Sequence, residues 1–213
     1  MKHILHSILV AALALSVAQA APIRIVKCDE NVPSKKRGIC MNNMSAADFR
    51  ALAPGVTWFY NWHFKSDSLP PAGVKMTFIP MVWGNRADAL AALPAILAGA
   101  NPKPPVVFAI NEPNLKGQAF IPPKVTAEVF KKVAAIAAPF NVPVVGPHMA
   151  IGSGADSSIK AMDPLTNKVE TYTFMVPFLK AFFHYMGATK VAAIGVHSYG
   201  NIGELKWSAG AVA

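Results

Sequence analysis

Six apolar runs recur along the chain with no polar residue alternating through them: GICM at 38–41, VTWFY at 56–60, MTFIPMVW at 76–83, PVVFAI at 105–110, PVVGP at 143–147 and VAAIGVHSY at 191–199. A strand with one face in water alternates apolar and polar residues, so continuous runs of this kind fit strands covered on both faces. The cover is available between them. SAADFRALA from Ser45, ADALAALPAILAG from Ala87, TAEVFKKVAAIAAPF from Thr126 and YTFMVPFLKAFFHYM from Tyr172 all carry apolar residues at helical spacing. Ser45 and Thr126 read as N-caps, with Asp48 three residues after the first. Strand and helix in alternation predict an α/β fold with a parallel sheet and right-handed crossovers.

Residues outside this repeat bound the setting. Lys2 and His3, an apolar stretch from Ile8 to Val17 and then Ala18-Gln19-Ala20 read as a signal peptide over residues 1–20, cleaved before Ala21. A secreted or extracellular location follows. The apolar stretch is shorter than the roughly 20 residues of a spanning helix, and no membrane partner is expected. Residues 21–213, with 53% of the whole chain hydrophobic, are enough for one well-buried domain. The net charge of +9 is scattered apart from Lys35-Lys36-Arg37 and Lys131-Lys132, so it reads as solvated surface and not as a nucleic-acid footprint. Cys28 and Cys40 can pair in an oxidising compartment or remain two separate buried thiols. Asn43-Met44-Ser45 is a glycosylation sequon. No metal-ligand spacing and no glycine-rich phosphate loop occurs, so neither a metal nor a nucleotide cofactor is expected.

The runs share a polar ending. Asn42 and Asn43 follow the first, Asn61-Trp62-His63 the second, Trp83-Gly84-Asn85 the third, Asn111-Glu112 the fourth and His148 the fifth, while His197 and Tyr199 lie within the sixth. In a TIM (β/α)8 barrel these positions converge on the carboxyl-end face, where such enzymes place their sites. Taken in order, KRGICMNN, WFYNWHF, FIPMVWG, FAINEPNL, VVGPHMA and IGVHSYGN resemble the strand ends of glycoside hydrolase family 128, secreted β-1,3-glucan hydrolases with a TIM-barrel fold, over most of residues 36–201. Asn114 stands where that family often has aspartate, and Ser198 where it often has an aromatic residue.

The resemblance implies roles. Glu112 would be the general acid/base of a retaining glycosidase, and Asn111 would bind the 2-hydroxyl of the scissile sugar. His197 and Tyr199 would stand beside the nucleophile. Trp62 and Trp83 present indole faces of the kind that pack on sugar rings, and Asn42 and His148 are candidates for sugar contacts, His148 equally for a core position. The expected partner is a polysaccharide, β-glucan, and the expected state a monomer.

A retaining mechanism needs a second carboxylate about 5 to 5.5 Å from the first. In these barrels it ends the seventh strand, whereas here only NIGELKWSAGAVA follows the sixth run, and nothing marks Glu204 as that group. The sequence therefore reads as about six of eight βα units, a carboxyl-terminally incomplete barrel with exposed sheet edges and a tendency to aggregate. Two functions are consistent with it: a glycosidase relative of weak or no activity, or a noncatalytic carbohydrate-binding protein.

Overall fold

The computed structural model describes residues 34–200 together with Gly203, Glu204, Lys206 and Gly210. The proposed leader and Cys28 lie outside them. In chain order the elements are β1 (Ser34–Cys40), α1 (Ala46–Leu52), β2 (Val56–Tyr60), β3 (Thr77–Phe78), β4 (Met81–Val82), α2 (Ala87–Gly99), β5 (Val107–Ala109), α3 (Pro123–Ala137), β6 (Val144–Ala150), β7 (Lys160–Asp163), β8 (Lys168–Thr171), α4 (Met175–Met186) and β9 (Ala193–His197).

Two parallel arcs, β1-β2-β3 and β4-β5-β6-β9, carry the strands in sequence order. The arcs meet inside the third apolar run, which forms two short strands and not the single strand its composition suggests. Pro80 has no N–H to donate to a ladder, and the chain changes partner around it: the Ile79 N–H donates to the Phe59 carbonyl at 2.8 Å, and the Met81 N–H to the His63 carbonyl at 2.9 Å.

Burial on both faces explains the unbroken apolar runs. On the outer face Val82, Val107 and Ala109 pack with Leu93 of α2, Phe130 and Val133 of α3, and Phe178 and Phe182 of α4. On the inner face Ile79, Met81 and Phe108 pack with Trp58, Tyr60, Trp62 and Trp83. A smaller cluster sets α1 on β2, where Phe49 meets the edge of Phe59 with ring centres 5.1 Å apart. No helix occupies the connection from residue 61 to 76, which leaves a gap in the outer layer between α1 and α2. Among the described residues no helix is long and apolar enough to cross a membrane.

Local chemistry sets the helix starts. Ser45 and Asp48 form the reciprocal cap expected of them: the Asp48 N–H donates to Ser45 Oγ at 3.2 Å and the Ser45 N–H to Asp48 Oδ2 at 2.8 Å. Thr126 is not a cap. α3 begins three residues earlier because Pro122-Pro123 supplies a preset φ where no N–H is needed, and the Thr126 hydroxyl instead donates to the Pro122 carbonyl at 3.0 Å. α4 begins at Met175 and not at Tyr172, whose hydroxyl donates to Asp163 Oδ2 at 2.9 Å. That bond anchors an antiparallel hairpin, β7-β8, which the sequence reading did not anticipate.

Candidate active site

β5 ends at Ala109, and the next residues turn sharply: Ile110 and Glu112 both take positive φ, 65° and 43°, conformations that cost a side-chain-bearing residue about 1 kcal/mol or more. Neighbouring strands hold the turn. Ile110 N–H donates to the Val82 carbonyl at 2.7 Å, Asn111 N–H to Trp83 at 2.8 Å and Glu112 N–H to His148 at 2.6 Å, while His148 N–H returns to the Ile110 carbonyl at 2.8 Å. Pro113 follows directly, and the Asn114 amide donates to the Ala150 carbonyl at 3.0 Å. The Glu112 side chain is thereby fixed in a buried position, with Oε1 at 2.8 Å from Nδ1 of His197, the last residue of β9.

His148 completes this group. Its ring lies 4.6 Å from Phe108 and 5.9 Å from His197, centre to centre. Gly195 of β9 lies flat against it, and a Cβ there would overlap the imidazole Nδ1. Burial, aided by the field of His197, holds the His148 pKa down at about 4, so the ring is neutral at ordinary pH. Its Nε2 is buried without a hydrogen-bond partner. His148 is thus a core residue beside the carboxylate.

Facing it is an aromatic wall. Trp58 and Tyr60 alternate on β2 and so share a face. Tyr60 lies 5.3 Å from Trp62 and 5.2 Å from Phe108. Burial pushes the Tyr60 hydroxyl pKa up, and the neighbouring Cys40 and Glu112 push it further. A phenol so perturbed stays protonated and makes a poor nucleophile. Tyr199 lies beyond the end of β9 and is largely exposed, 6.4 Å from the His197 ring; partial desolvation and the Glu112 carboxylate raise its pKa. Trp83 is half-buried in the inner cluster. Asn42 and Trp62 line a separate hollow of about 430 Å³ with Asn61, His63 and Asp67.

Of the residues marked in the sequence, Glu112, Asn111, His148 and His197 are brought together, with Tyr199 at the edge and Trp62 on the facing wall. Asn42 opens on the neighbouring hollow and does not touch the carboxylate's hydrogen-bonded group. Tyr60 was missed, although the alternation of Trp58, Tyr60 and Trp62 could have marked it. Gln118, whose Oε1 accepts from the Asn111 amide at 2.9 Å, left no signal in the sequence. Cys40 is exposed near Tyr60 and Tyr199. Asp163 accepts from Leu165 N–H, Thr166 N–H and Tyr172, which hold its pKa low against the opposing effect of burial. Glu204 lies against the backbone of Gly200. No group of three or more His, Cys, Asp or Glu side chains suited to a metal ion occurs among the described residues.

The site is thus a buried carboxylate hydrogen-bonded to a histidine at the strand ends of a parallel, barrel-like sheet. Residues 38–213 match the family described as glycosyl hydrolase catalytic core, and the chain belongs to that family. Its fold is that of glycoside hydrolase family 128. A subgroup II endo-β-1,3-glucanase from Pseudomonas viridiflava is 29% identical, with a TM-score of 0.65 over 84% of this chain and 67% of its own. A subgroup II endo-β-1,3-glucanase from Sorangium cellulosum is 22% identical, with a TM-score of 0.60 over 81% of this chain and 66% of its own. A subgroup III curdlan-specific exo-β-1,3-glucanase from Blastomyces gilchristii, in complex with glucose, is 21% identical, with a TM-score of 0.59 over 82% of this chain and 67% of its own. The latter two show the fold alone. The chain spans about two thirds of the length of these structures. Among curated proteins none matches.

Proposed function

We propose that the chain is an exported β-1,3-glucan-acting glycoside hydrolase domain in which Glu112 is the general acid/base of a retaining mechanism. The observation that carries this reading is the buried Glu112 carboxyl, 2.8 Å from His197 on the inner face of the sheet. A general acid must hold its proton at a fixed point beside the glycosidic oxygen. The strained turn at Glu112, hydrogen-bonded to β4 and β6, provides that fixity. In this reading Asn111 would meet the adjacent sugar hydroxyl through Oδ1, its amide being held by Gln118, and the Trp62 and Trp83 indoles would supply flat apolar surface for sugar rings.

No second carboxylate is assigned. A noncatalytic carbohydrate-binding role is the second reading, favoured by the aromatic wall. Both rest on glucan recognition, and one experiment tests it. Purified chain should be retained on insoluble β-1,3-glucan, and the double variant Trp62→Ala/Trp83→Ala should bind about tenfold more weakly, as expected for the loss of aromatic packing worth on the order of 1 kcal/mol. Equal retention of the two proteins removes the proposal.

A further inference from the structure

We infer that the amino-end face of the fold carries a second binding site, for a single-chain amphiphile with an anionic carboxylate head. The site is a cavity of about 1240 Å³ lined by the starts of β1, β2 and β3, by part of the helix-free 61–76 connection, and by the end of α2 with the 100–105 segment. It exists because of the gap left in the outer layer.

Two features of the lining select the ligand. Its body is mainly apolar, with Trp58, Phe78, Met76, Ile96 and five prolines, against four neutral hydrogen-bonding side chains, Thr57, Ser66, Thr77 and Asn101. A sugar, with a hydroxyl on nearly every carbon, would leave most of its polar groups unpaired there. An alkyl chain would not. The second feature is charge: Lys35, Lys65, Lys75 and Lys103 all line the cavity, and among the described residues no aspartate or glutamate does. Four like charges around one concavity raise the local concentration of anions and are relieved by one. Lys65 also borders the Asn42–Trp62 hollow, where Asp67 lies, so Lys35, Lys75 and Lys103 carry most of the charge that faces this cavity. The Trp58 indole N–H donates to the Lys35 carbonyl at 3.2 Å, which fixes that ring at the mouth. Pocket volumes for small ligands run from about 300 to 1,000 Å³, so a C12 chain and its head group fit with space to spare.

The cavity shares Trp58 with the inner aromatic cluster, but Glu112, His148 and His197 are not in its lining, and it does not depend on the glucan reading. Calorimetric titration of the full chain with dodecanoate, kept below its aggregation concentration, tests it, with tryptophan emission followed in parallel. One-to-one saturable binding is expected, with an emission change that is lost in Trp58→Phe. Lys75→Glu/Lys103→Glu, both at exposed positions where folding is not at stake, should weaken dodecanoate at least tenfold, and Ile96→Trp should fill the cavity and abolish binding. Decyl glucoside, of similar chain length but neutral, should bind at least tenfold more weakly than dodecanoate in the unaltered chain. The inference is overturned by non-saturable binding, by dodecanoate affinity indifferent to the charge reversal, by decyl glucoside matching dodecanoate, or by an acidic peptide binding where dodecanoate does not.

Discussion

Along β2 the inward positions are Trp58 and Tyr60, with Trp62 just beyond, whereas the ends of β5, β6 and β9 bring together Glu112, His148 and His197. The two arcs have the same parallel ladder and similar apolar runs, yet one presents ring faces and the other ionisable groups. Their demands on placement differ accordingly. Ring faces tolerate imprecise placement, because dispersion and apolar contact are not directional. A buried carboxyl bonded to an imidazole does not, since that hydrogen bond needs its two atoms at a set distance. Both arcs carry close-fitting backbone: residues 110 and 112 are left-handed and Gly195 is pressed on His148 in one, while Trp62 has φ 59° and a Cβ at Gly38 would overlap Trp58 in the other, so the difference lies in the Glu112–His197 bond that the ionisable arc must keep.

If this contrast is right, the largest effect on turnover comes from the smallest chemical change in the ionisable arc. Glu112→Gln keeps the shape and removes the proton. In a chimera supplying the part of the Pseudomonas viridiflava structure that this chain does not match, hydrolysis of unactivated β-1,3-glucan should fall by about 10² to 10⁴ while glucan retention is unchanged. A rate within twofold of the unaltered chimera would place Glu112 among structural residues.

Next in size is a backbone effect. Gly146 has φ +144°, and a Cβ there would collide with the Ala109 carbonyl oxygen where β5 and β6 meet. Gly146→Ala should cost about 3 kcal/mol of stability, combining strain and overpacking, visible as a lower urea midpoint. The same measurement on Gly99→Ala, at the end of α2 where a Cβ would meet open space, serves as the contrast, with a shift below about 1 kcal/mol expected.

A pH effect of similar size separates the arcs without mutation. His148 takes up a proton near pH 6.5 when unfolded and near 4 in the folded chain. The folded state therefore binds fewer protons in that window, and stability is fully present above about pH 6.5 and declines as pH falls through it toward 4. The displacement corresponds to about 3 kcal/mol. His148→Phe should flatten the decline in thermal-melt series between pH 7 and 4; an unchanged slope would mean that another group carries it. Smallest is the cap of α1. Ser45→Ala should lower stability by about 1 kcal/mol and leave the emission of the aromatic arc unaltered.

Much of this was legible in the sequence, and the exceptions have physical reasons. The six apolar runs locate the parallel strands because burial on both faces leaves composition as a direct trace. The third run hid its break, since Pro80 interrupts a ladder without interrupting the hydrophobicity that conceals it. The β7-β8 hairpin was overlooked because its exposed side includes Met162 and Val169, directly opposite each other, and looks neither buried nor alternating; the Asp163-Pro164 and Asn167 turn signals were its only mark. At the site, strand-end polarity placed Asn111, Glu112, His148 and His197 on one face. The contact between His197 and Glu112 was not readable, as it depends on where the two side chains meet across 85 residues of sequence. The resemblance placed His197 beside a nucleophile, and the observed partner is the acid/base candidate itself.

The Glu112 turn takes its backbone bonds from β4 and β6 and its side-chain bond from β9, so nothing within β5 alone can build it. The site is consequently a coincidence detector for folding: the carboxyl reaches its working position only after four separate stretches of chain have found one register. A slip of one residue between β5 and β6 would turn His148 outward and, in the same step, remove the carbonyl that receives the Glu112 amide. Misassembled chains would therefore lack the acid altogether instead of carrying it askew, which keeps a reactive buried carboxyl from appearing in any state but the native one.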